Sequence, residues 1–406
     1  MGKSVELESN GKLQTLGKFI AQQITESSCH RITFAQFMEW ALYHPQWGYY
    51  AAAPTKIGAT GDFATSPHLG ADFGELLAEQ LIEMGQGFEP TQPLTLVEMG
   101  AGQGLLAKDI LTYWGDRAAD LLARTEYWIV ERSPALVQEQ RQQLHALMQA
   151  GVSVRWCTLE ELPDRAIAGC VFSNELVDAL PVHQVIRQGD TLQEIYVTLN
   201  PQAPPAAPEF VETVGDLSTP RLAEYLAQLD IDLTSDRYPE GYRTEINLAA
   251  GDWLATVAQK LDRGYVITID YGYPGDRYYH PLRTEGTLQC YYRHRHHSNP
   301  YLYIGEQDIT AHVNFTALEH YGAKAGLQTV GFTKQGLFLM ALGLGDRLVR
   351  LSQSDATDRA TIQTVLQRRD ALQSLINPMG LGNFGVLIQQ KGMDGAVSLL
   401  GLQGEQ

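Results

Sequence analysis

The run Leu94-Thr95-Leu96-Val97-Glu98-Met99-Gly100-Ala101-Gly102-Gln103-Gly104 constrains this chain more than any other stretch. It reads as a strand entering a tight turn, and Leu105, Leu106, Ile110, Leu111 and Trp114 recur behind it at helical spacing. An apolar run without alternation suits a strand buried on both faces of a parallel sheet. Gly115 can end the helix. Glycines at alternate positions let the backbone turn sharply and let a ligand approach where a Cβ would collide. The unit predicts an α/β sheet with a ligand at its carboxyl edge.

The spacing narrows the ligand. A dinucleotide site uses Gly-x-Gly-x-x-Gly, with the pyrophosphate on the helix N-terminus. Here position 105 is Leu, the third glycine comes one residue early, and Glu98 stands two residues before the first glycine. A carboxylate at a strand tip is poorly placed beside a pyrophosphate and well placed for a ligand that carries an ammonium group. The pattern acid-x-Gly-x-Gly-x-Gly resembles the first motif of S-adenosylmethionine-dependent methyltransferases with a Rossmann-like fold. A turn with no ligand, or with a different one, is the alternative for this motif taken alone.

With 406 residues the chain is long enough for one large domain with insertions or for two domains. Its formal charge of −17, from 47 acidic against 30 basic side chains, repels phosphate backbones and anionic membranes. Nucleic-acid and lipid substrates are therefore disfavoured, and a basic protein segment is attracted. Four scattered cysteines without a Cys-x-x-Cys pair fit a reducing compartment. Residues 1–11 read as neither a secretory signal nor a transit peptide, and the longest apolar run, Leu337 to Leu344, is far short of the ~20 residues a membrane helix needs. A cytoplasmic protein without membrane insertion is expected.

Along the chain, residues 13–43 predict two short helices, followed by an aromatic turn, His44-Pro45-Gln46-Trp47-Gly48-Tyr49-Tyr50, read as a packed corner or a ligand contact. Gly58 to Pro67 lacks the Gly-Lys-Ser/Thr of a phosphate loop. Ser66 before Pro67 predicts an N-cap opening a helix that runs to Gly85, and the free N–H groups there can bind a carboxylate; a capped helix with no ligand is the alternative. Tyr127 to Val130 predicts the second strand, with Glu131 at its tip, where a nucleoside-binding fold places its ribose contact. A solvated acid before a Ser-Pro helix start is the other reading of Glu131. Val152 to Trp156 predicts the third strand, after which Thr158 to Leu162 lies over the adenine position. Gly169 to Phe172 predicts the fourth, with Asn174, Glu175 and Asp178 collected at its end. Carboxylates at that edge can hold a guanidinium or take a proton from an amine.

From 183 to 215 the period becomes two, which predicts an antiparallel hairpin and a return strand at Phe210 to Val214, with a helix near Arg221 to Leu229. This insertion reads as a substrate cap or an inert elaboration. A helix over 253–261 leads to a fifth strand at 265–269, with Asp270 and Tyr271 over the same edge. Cys290-Tyr291-Tyr292-Arg293-His294-Arg295-His296-His297 reads as a mobile, partly basic loop; no two of its candidate ligands share a zinc spacing, and the arginines would repel a cation. Glu306 to Val313 is expected to open the next helix, and Leu327 to Thr333 and Phe384 to Gln390 to form the last two strands, separated by helices between 336 and 376.

Gly61-Asp62-Phe63-Ala64-Thr65-Ser66-Pro67 with Phe73-Gly74-Glu75, the turn from Glu98 to Gly104, Asn174-Glu175 with Asp178-Ala179-Leu180-Pro181, Asp270-Tyr271-Gly272, and Gly305 to Val313 together resemble, in that order, the MidA-like methyltransferases. The mitochondrial members of that family are arginine methyltransferases needed for assembly of respiratory complex I. The likeness spans roughly residues 10 to 390, and Pro201 to Tyr242 matches only loosely. The resemblance implies a Rossmann-like methyltransferase sheet with helices on both faces, N-terminal helices and a β-rich insertion. The expected organisation is an N-terminal helical segment (1–90), a first core part (91–182), an inserted cap (183–250), a second core part (251–392) and a tail (393–406). It also implies S-adenosyl-L-methionine as donor, held by Glu98, Gly100, Gly102, Gly104 and Glu131, with Ser66 as a further contact. Glu175, Asp178 and Asp270 are the candidate catalytic acids, and the expected partner is a protein with an exposed arginine, such as a complex I-type subunit. A small-molecule methyltransferase and a donor-binding assembly chaperone are the alternatives.

Overall fold

Alternate residues of the central strands face two different apolar layers. In β1 (Leu94–Met99), Leu94 and Leu96 enter one core cluster while Val97 and Met99 enter the other. The same alternation divides Tyr127 and Ile129 from Trp128 and Val130 in β2 (Thr125–Val130), and Cys170 and Phe172 from Val171 in β4 (Ile167–Asn174). Both faces must therefore be covered, as a parallel sheet requires. The computed structural model describes residues 15–51, 65–204, 206–293, 295–353, 358–393 and 398–405.

With β3 (Val154–Cys157), β5 (Leu261–Asp270), β6 (Gln328–Lys334) and β7 (Gly385–Lys391), the main sheet has seven strands in the order β3-β2-β1-β4-β5-β7-β6. The first five run parallel, and β7 is antiparallel to both of its neighbours. Strand order reverses between β1 and β4, so their carboxyl ends leave a crevice. One face is covered by α1 (Asp72–Gln86), α2 (Leu105–Arg117) and α3 (Pro134–Gln149), together with the helices Gln335–Ala341 and Arg359–Ile376. The other is covered by α4 (Leu248–Lys260) and α5 (Phe315–Lys324). The expected Rossmann-like sheet is thus present.

A second, antiparallel sheet is built from His183–Gln188, Thr191–Leu199, Phe210–Gly215 and Arg243–Ile246. The period-two hairpin and its return strand form as the alternation predicts. Ile32–Thr33 adds an edge strand from the N-terminal region, and the helices over 15–26 and Phe34–Tyr43 pack Leu16, Ile20, Phe37 and Met38 against Val197 and Phe210.

Three local expectations are corrected. Ser66–Leu69 is a short 3-10 turn capped by Thr65, and Gly70 separates it from α1, so Ser66 does not open a helix that continues to Gly85. The stretch from Cys290 is not a loop: Gln289–Tyr292 pairs with Arg295–His297 and with Asp308–Thr310 in a three-stranded sheet. Glu306 to Val313 likewise forms strand segments rather than a helix start, and α5 begins only at Phe315, where the Asn314 side chain accepts from the Ala317 N–H. Gly61 to Ala64 lie outside the described residues.

Candidate active site

The turn after β1 opens onto a cavity of about 540 Å³ at the carboxyl edge of the sheet. Gly102 stands in the left-handed region (φ +52°), and a Cβ built on it would meet no atom within 4 Å. Gly100 (φ +69°) also lies on the wall, where a Cβ would come within 2.8 Å of Leu176. Gly102 therefore keeps a space clear, which is what a ligand cradle requires, and Gly100 lets Leu176 pack against the turn. Gly104, the third glycine expected to hold the donor, is placed differently from the other two. It precedes α2 and packs against Gln140, off the wall.

Glu98 is 3% exposed, lies on the wall and accepts a hydrogen bond from the Tyr127 hydroxyl at 2.6 Å. Burial raises its pKa to about 7; the Tyr127 bond opposes that rise, and Glu131 and Asp109 add to it. Glu131, at the tip of β2, accepts from the Ser133 N–H at 2.8 Å and from the Gln140 amide at 3.2 Å. Burial raises it as well. Gln140, on α3, is fully buried, donates also to the Gly102 carbonyl at 2.8 Å and accepts from the Trp156 indole at 2.9 Å. A second chain of contacts crosses the mouth: His68 meets Gln103 at 3.0 Å, and Gln103 donates to Glu139 at 2.9 Å.

Glu175 also lines the cavity. Its backbone is in the left-handed region (φ +54°), its N–H donates to the Ile269 carbonyl of β5, and its carboxylate accepts from the Ser66 N–H at 3.3 Å and the Asn174 amide at 3.1 Å. A side chain held at such a backbone costs on the order of 1 kcal/mol and persists only where surrounding contacts impose it. Burial, then the neighbouring Asp178, raises its pKa to about 8. Ser66 itself is off the wall, with its hydroxyl buried against Gln335, so it acts on Glu175 through its backbone and is not a direct cavity contact.

Asp178 and Asp270 lie behind Glu175, and neither is on the cavity wall. Asp270 is fully buried and accepts from the N–H groups of Val177, Asp178 and Tyr271, at 2.9, 3.2 and 2.9 Å. That set of bonds ties the turn after β4 to the end of β5. Asp178 accepts a short hydrogen bond from the Tyr271 hydroxyl, and its other oxygen is buried without a partner. Burial raises Asp178 to about 6, and burial with the charges of Asp178 and Glu175 holds Asp270 well above the usual carboxylate range. The aromatic turn contributes both ways: Tyr50 stacks at 5.4 Å on Tyr43, the last residue of the preceding helix, with both on the wall, while His44 and Trp47 stack at 4.5 Å.

Comparison with known proteins decides the class of this site. A family described as "Putative S-adenosyl-L-methionine-dependent methyltransferase" matches residues 76–333. The chain belongs to this methyltransferase family. It is similar to "Protein arginine methyltransferase NDUFAF7, mitochondrial" of Danio rerio, 30% identical over 376 residues that cover 86% of this chain and 81% of that protein. The Homo sapiens protein of the same name is 27% identical over 391 residues, covering 90% and 81%. Among solved structures, a Burkholderia thailandensis protein crystallised bound to S-adenosyl-homocysteine superposes with a TM-score of 0.83 at 34% identity, covering 97% of this chain and 96% of that one.

The donor of this methyltransferase is S-adenosyl-L-methionine, which supplies an electrophilic methyl group on a sulfonium. The residues present fit it. The clear space over Gly102 would take its methionine portion, and the buried Glu98 carboxylate and the unpartnered oxygen of Asn174 suit an ammonium. Glu131, fixed from two sides, suits a pair of sugar hydroxyls, and Leu159 and Glu160, of the segment expected over the adenine, are on the wall. The sequence reading missed Gln140, Gln103 and His68. A glutamine inside an amphipathic helix looks like a solvated side chain, and only full burial at an apolar-facing position, beside Leu136 and Leu144, marks Gln140. None of the four cysteines is in a disulfide, and among the described residues no helix is long and apolar enough to cross a membrane.

Proposed function

We propose that this methyltransferase transfers its methyl group to a guanidinium nitrogen of an arginine in a protein substrate, with a subunit of a complex I-type assembly as the acceptor. The observation that carries the reading is the stack of three carboxylates at the ends of β4 and β5. Glu175 is on the cavity wall, and Asp178 and Asp270 stand behind it; burial raises all three, Asp178 adds to the rise of Glu175, and Asp178 and Glu175 add to that of Asp270. Such a cluster is destabilised when ionised and has no arginine or lysine of this chain paired to it among the described residues. A cationic acceptor relieves that repulsion. The relatives named as protein arginine methyltransferases support the same class.

In this reading Glu175 ionises against the arriving guanidinium and aligns it by hydrogen bonds. Nitrogen attacks the methyl carbon in line as the carbon–sulfur bond breaks, the electron pair stays on sulfur, and the nitrogen proton passes to the Glu175 carboxylate. The Ser66 N–H and the Asn174 amide hold that carboxylate in place, and Asp270 keeps the turn that carries it. The aromatic wall of Tyr43 and Tyr50 keeps water out.

The test is transfer from methyl-labelled donor to a proteome extract, with mass-spectrometric location of the label. Label on an arginine side chain, absent with Glu175→Gln, supports the proposal. Label confined to the small-molecule fraction replaces it with a small-molecule acceptor. Donor binding without any transfer replaces it with an assembly role.

A further inference from the structure

Beyond the three carboxylates, the same edge carries a set of cations that the chemistry above does not use. Tyr273, two residues past Tyr271, has the Arg283 guanidinium 4.1 Å and the Arg277 guanidinium 5.6 Å from its ring centroid. Lys334 donates to the Asn383 carbonyl at 2.9 Å and stands close enough to Arg277 for that charge to lower its pKa, after the larger effect of burial. His312 stacks on Tyr273 at 5.1 Å; burial, then the Arg283 charge, lowers it to about 4, so it is neutral at pH 7. Among the described residues no carboxylate makes a salt bridge to Arg277, Arg283 or Lys334, although Asp276 and Glu285 adjoin them in sequence. In a chain of formal charge −17, these three neighbouring cations form a local basic patch.

Their place relative to the acceptor site is set by ring contacts. The Tyr271 hydroxyl is on Asp178, His312 packs edge-on against Tyr271 at 5.2 Å and flat on Tyr273, and Tyr273 meets Arg283. These successive contacts place the cations a few side chains from Asp178, so an extended peptide with its target side chain beside Glu175 can run toward them at about 3.3–3.6 Å per residue. Accordingly, we infer that Arg277, Arg283 and Lys334 form a docking surface for an acidic segment of the protein substrate, close in sequence to the methylated residue. This rests on the protein-acceptor reading above. It adds a selection rule: a cation at the inner carboxylates and acidic residues a few positions away.

The test uses the full protein saturated with S-adenosyl-homocysteine and fluorescence anisotropy of labelled ten-residue peptides. Each contains one arginine flanked by glutamates, by serines or by lysines, and an oligothymidylate serves as a further probe. The glutamate peptide is expected to bind about tenfold more tightly than the serine peptide, with the difference shrinking as salt rises. Arg277→Glu with Arg283→Glu is expected to remove that difference while S-adenosyl-homocysteine binding stays unchanged. If the double reversal does not fold, Arg277→Gln with Arg283→Gln is expected to reduce it severalfold. Equal binding of glutamate and serine peptides to the unmodified protein, or insensitivity of the glutamate peptide to both double variants, overturns the inference. So does oligothymidylate that binds more tightly through the same residues. Label transfer is measured separately on the same peptides. Transfer to arginine without a glutamate preference removes only the docking surface, and a glutamate preference without transfer removes only the arginine reading.

Discussion

The side-chain amide of Gln140 donates to the carboxylate of Glu131 at 3.2 Å, and the same nitrogen reaches the Gly102 carbonyl at 2.8 Å. One buried side chain on α3 thus holds the acid at the tip of β2 and the turn after β1 in fixed relation, while the Trp156 indole of β3 fixes its oxygen. Three strand ends are tied at the donor side by a residue that need not touch the donor.

Gln140→Leu is therefore expected to weaken S-adenosyl-homocysteine by about 10–100-fold, because it leaves the Trp156 donor and one side of Glu131 unpaired. Isothermal titration measures this. A lowered melting temperature with unchanged affinity would show that the amide serves the fold alone.

Gly102→Val is expected to abolish donor binding while the protein stays folded. The left-handed backbone costs a branched side chain on the order of 1–2 kcal/mol, and the added methyl groups enter the clear space over the turn. Titration with S-adenosyl-homocysteine, paired with thermal unfolding, separates the two effects.

Donor affinity is expected to rise with pH between about 6 and 8. Glu98 titrates near 7 in the free site and must be ionised to hold an ammonium, so each unit below that costs up to about tenfold. Glu98→Gln flattens the profile. Stability of the free protein runs the other way. Asp178, Glu98 and Glu175 keep protons in the fold to about pH 6, 7 and 8, whereas the unfolded chain releases them near pH 4. Folding is thus weakened as pH rises through that window, by up to about 1.4 kcal/mol per unit for each group, and thermal melts from pH 5 to 8 measure the slope.

Glu175→Gln is expected to lower the transfer rate by about 10²–10⁴-fold with donor affinity changed less than about threefold. Asp270→Asn, by contrast, turns an acceptor of three backbone N–H groups partly into a donor and is expected to destabilise the fold by about 2–4 kcal/mol. Denaturant unfolding beside single-turnover rates distinguishes the pair. Equal loss of rate with no loss of stability in Asp270→Asn would assign Asp270 to the chemistry.

Much of the donor end was legible in the chain order. Glu98, Gly100, Gly102 and Glu131 all line the cavity because each sits at the end of a strand whose apolar period is visible locally, and strand ends in a parallel sheet converge on one crevice. Ser66 and Gly104 were placed on the wall and are not, since a residue's neighbourhood in a turn does not say which way its side chain faces. The three acids were gathered correctly at one edge, but their division into a wall residue, Glu175, and two buried supports, Asp178 and Asp270, was invisible.

What the sequence by itself determined is the class of fold and donor. Unbroken apolar strand runs, helical stripes and the spacing of three glycines are local consequences of backbone geometry, and they point to the strands of the main sheet and to its ligand edge. Tertiary structure alone decided the electrostatics. Asp270 meets Val177, Tyr271 meets Asp178, and Arg283 reaches Tyr273 beside His312, in contacts that mostly join segments far apart in the chain. A carboxylate's charge and a cation's lack of a partner depend on burial and on neighbours brought from elsewhere, and no window of sequence contains them.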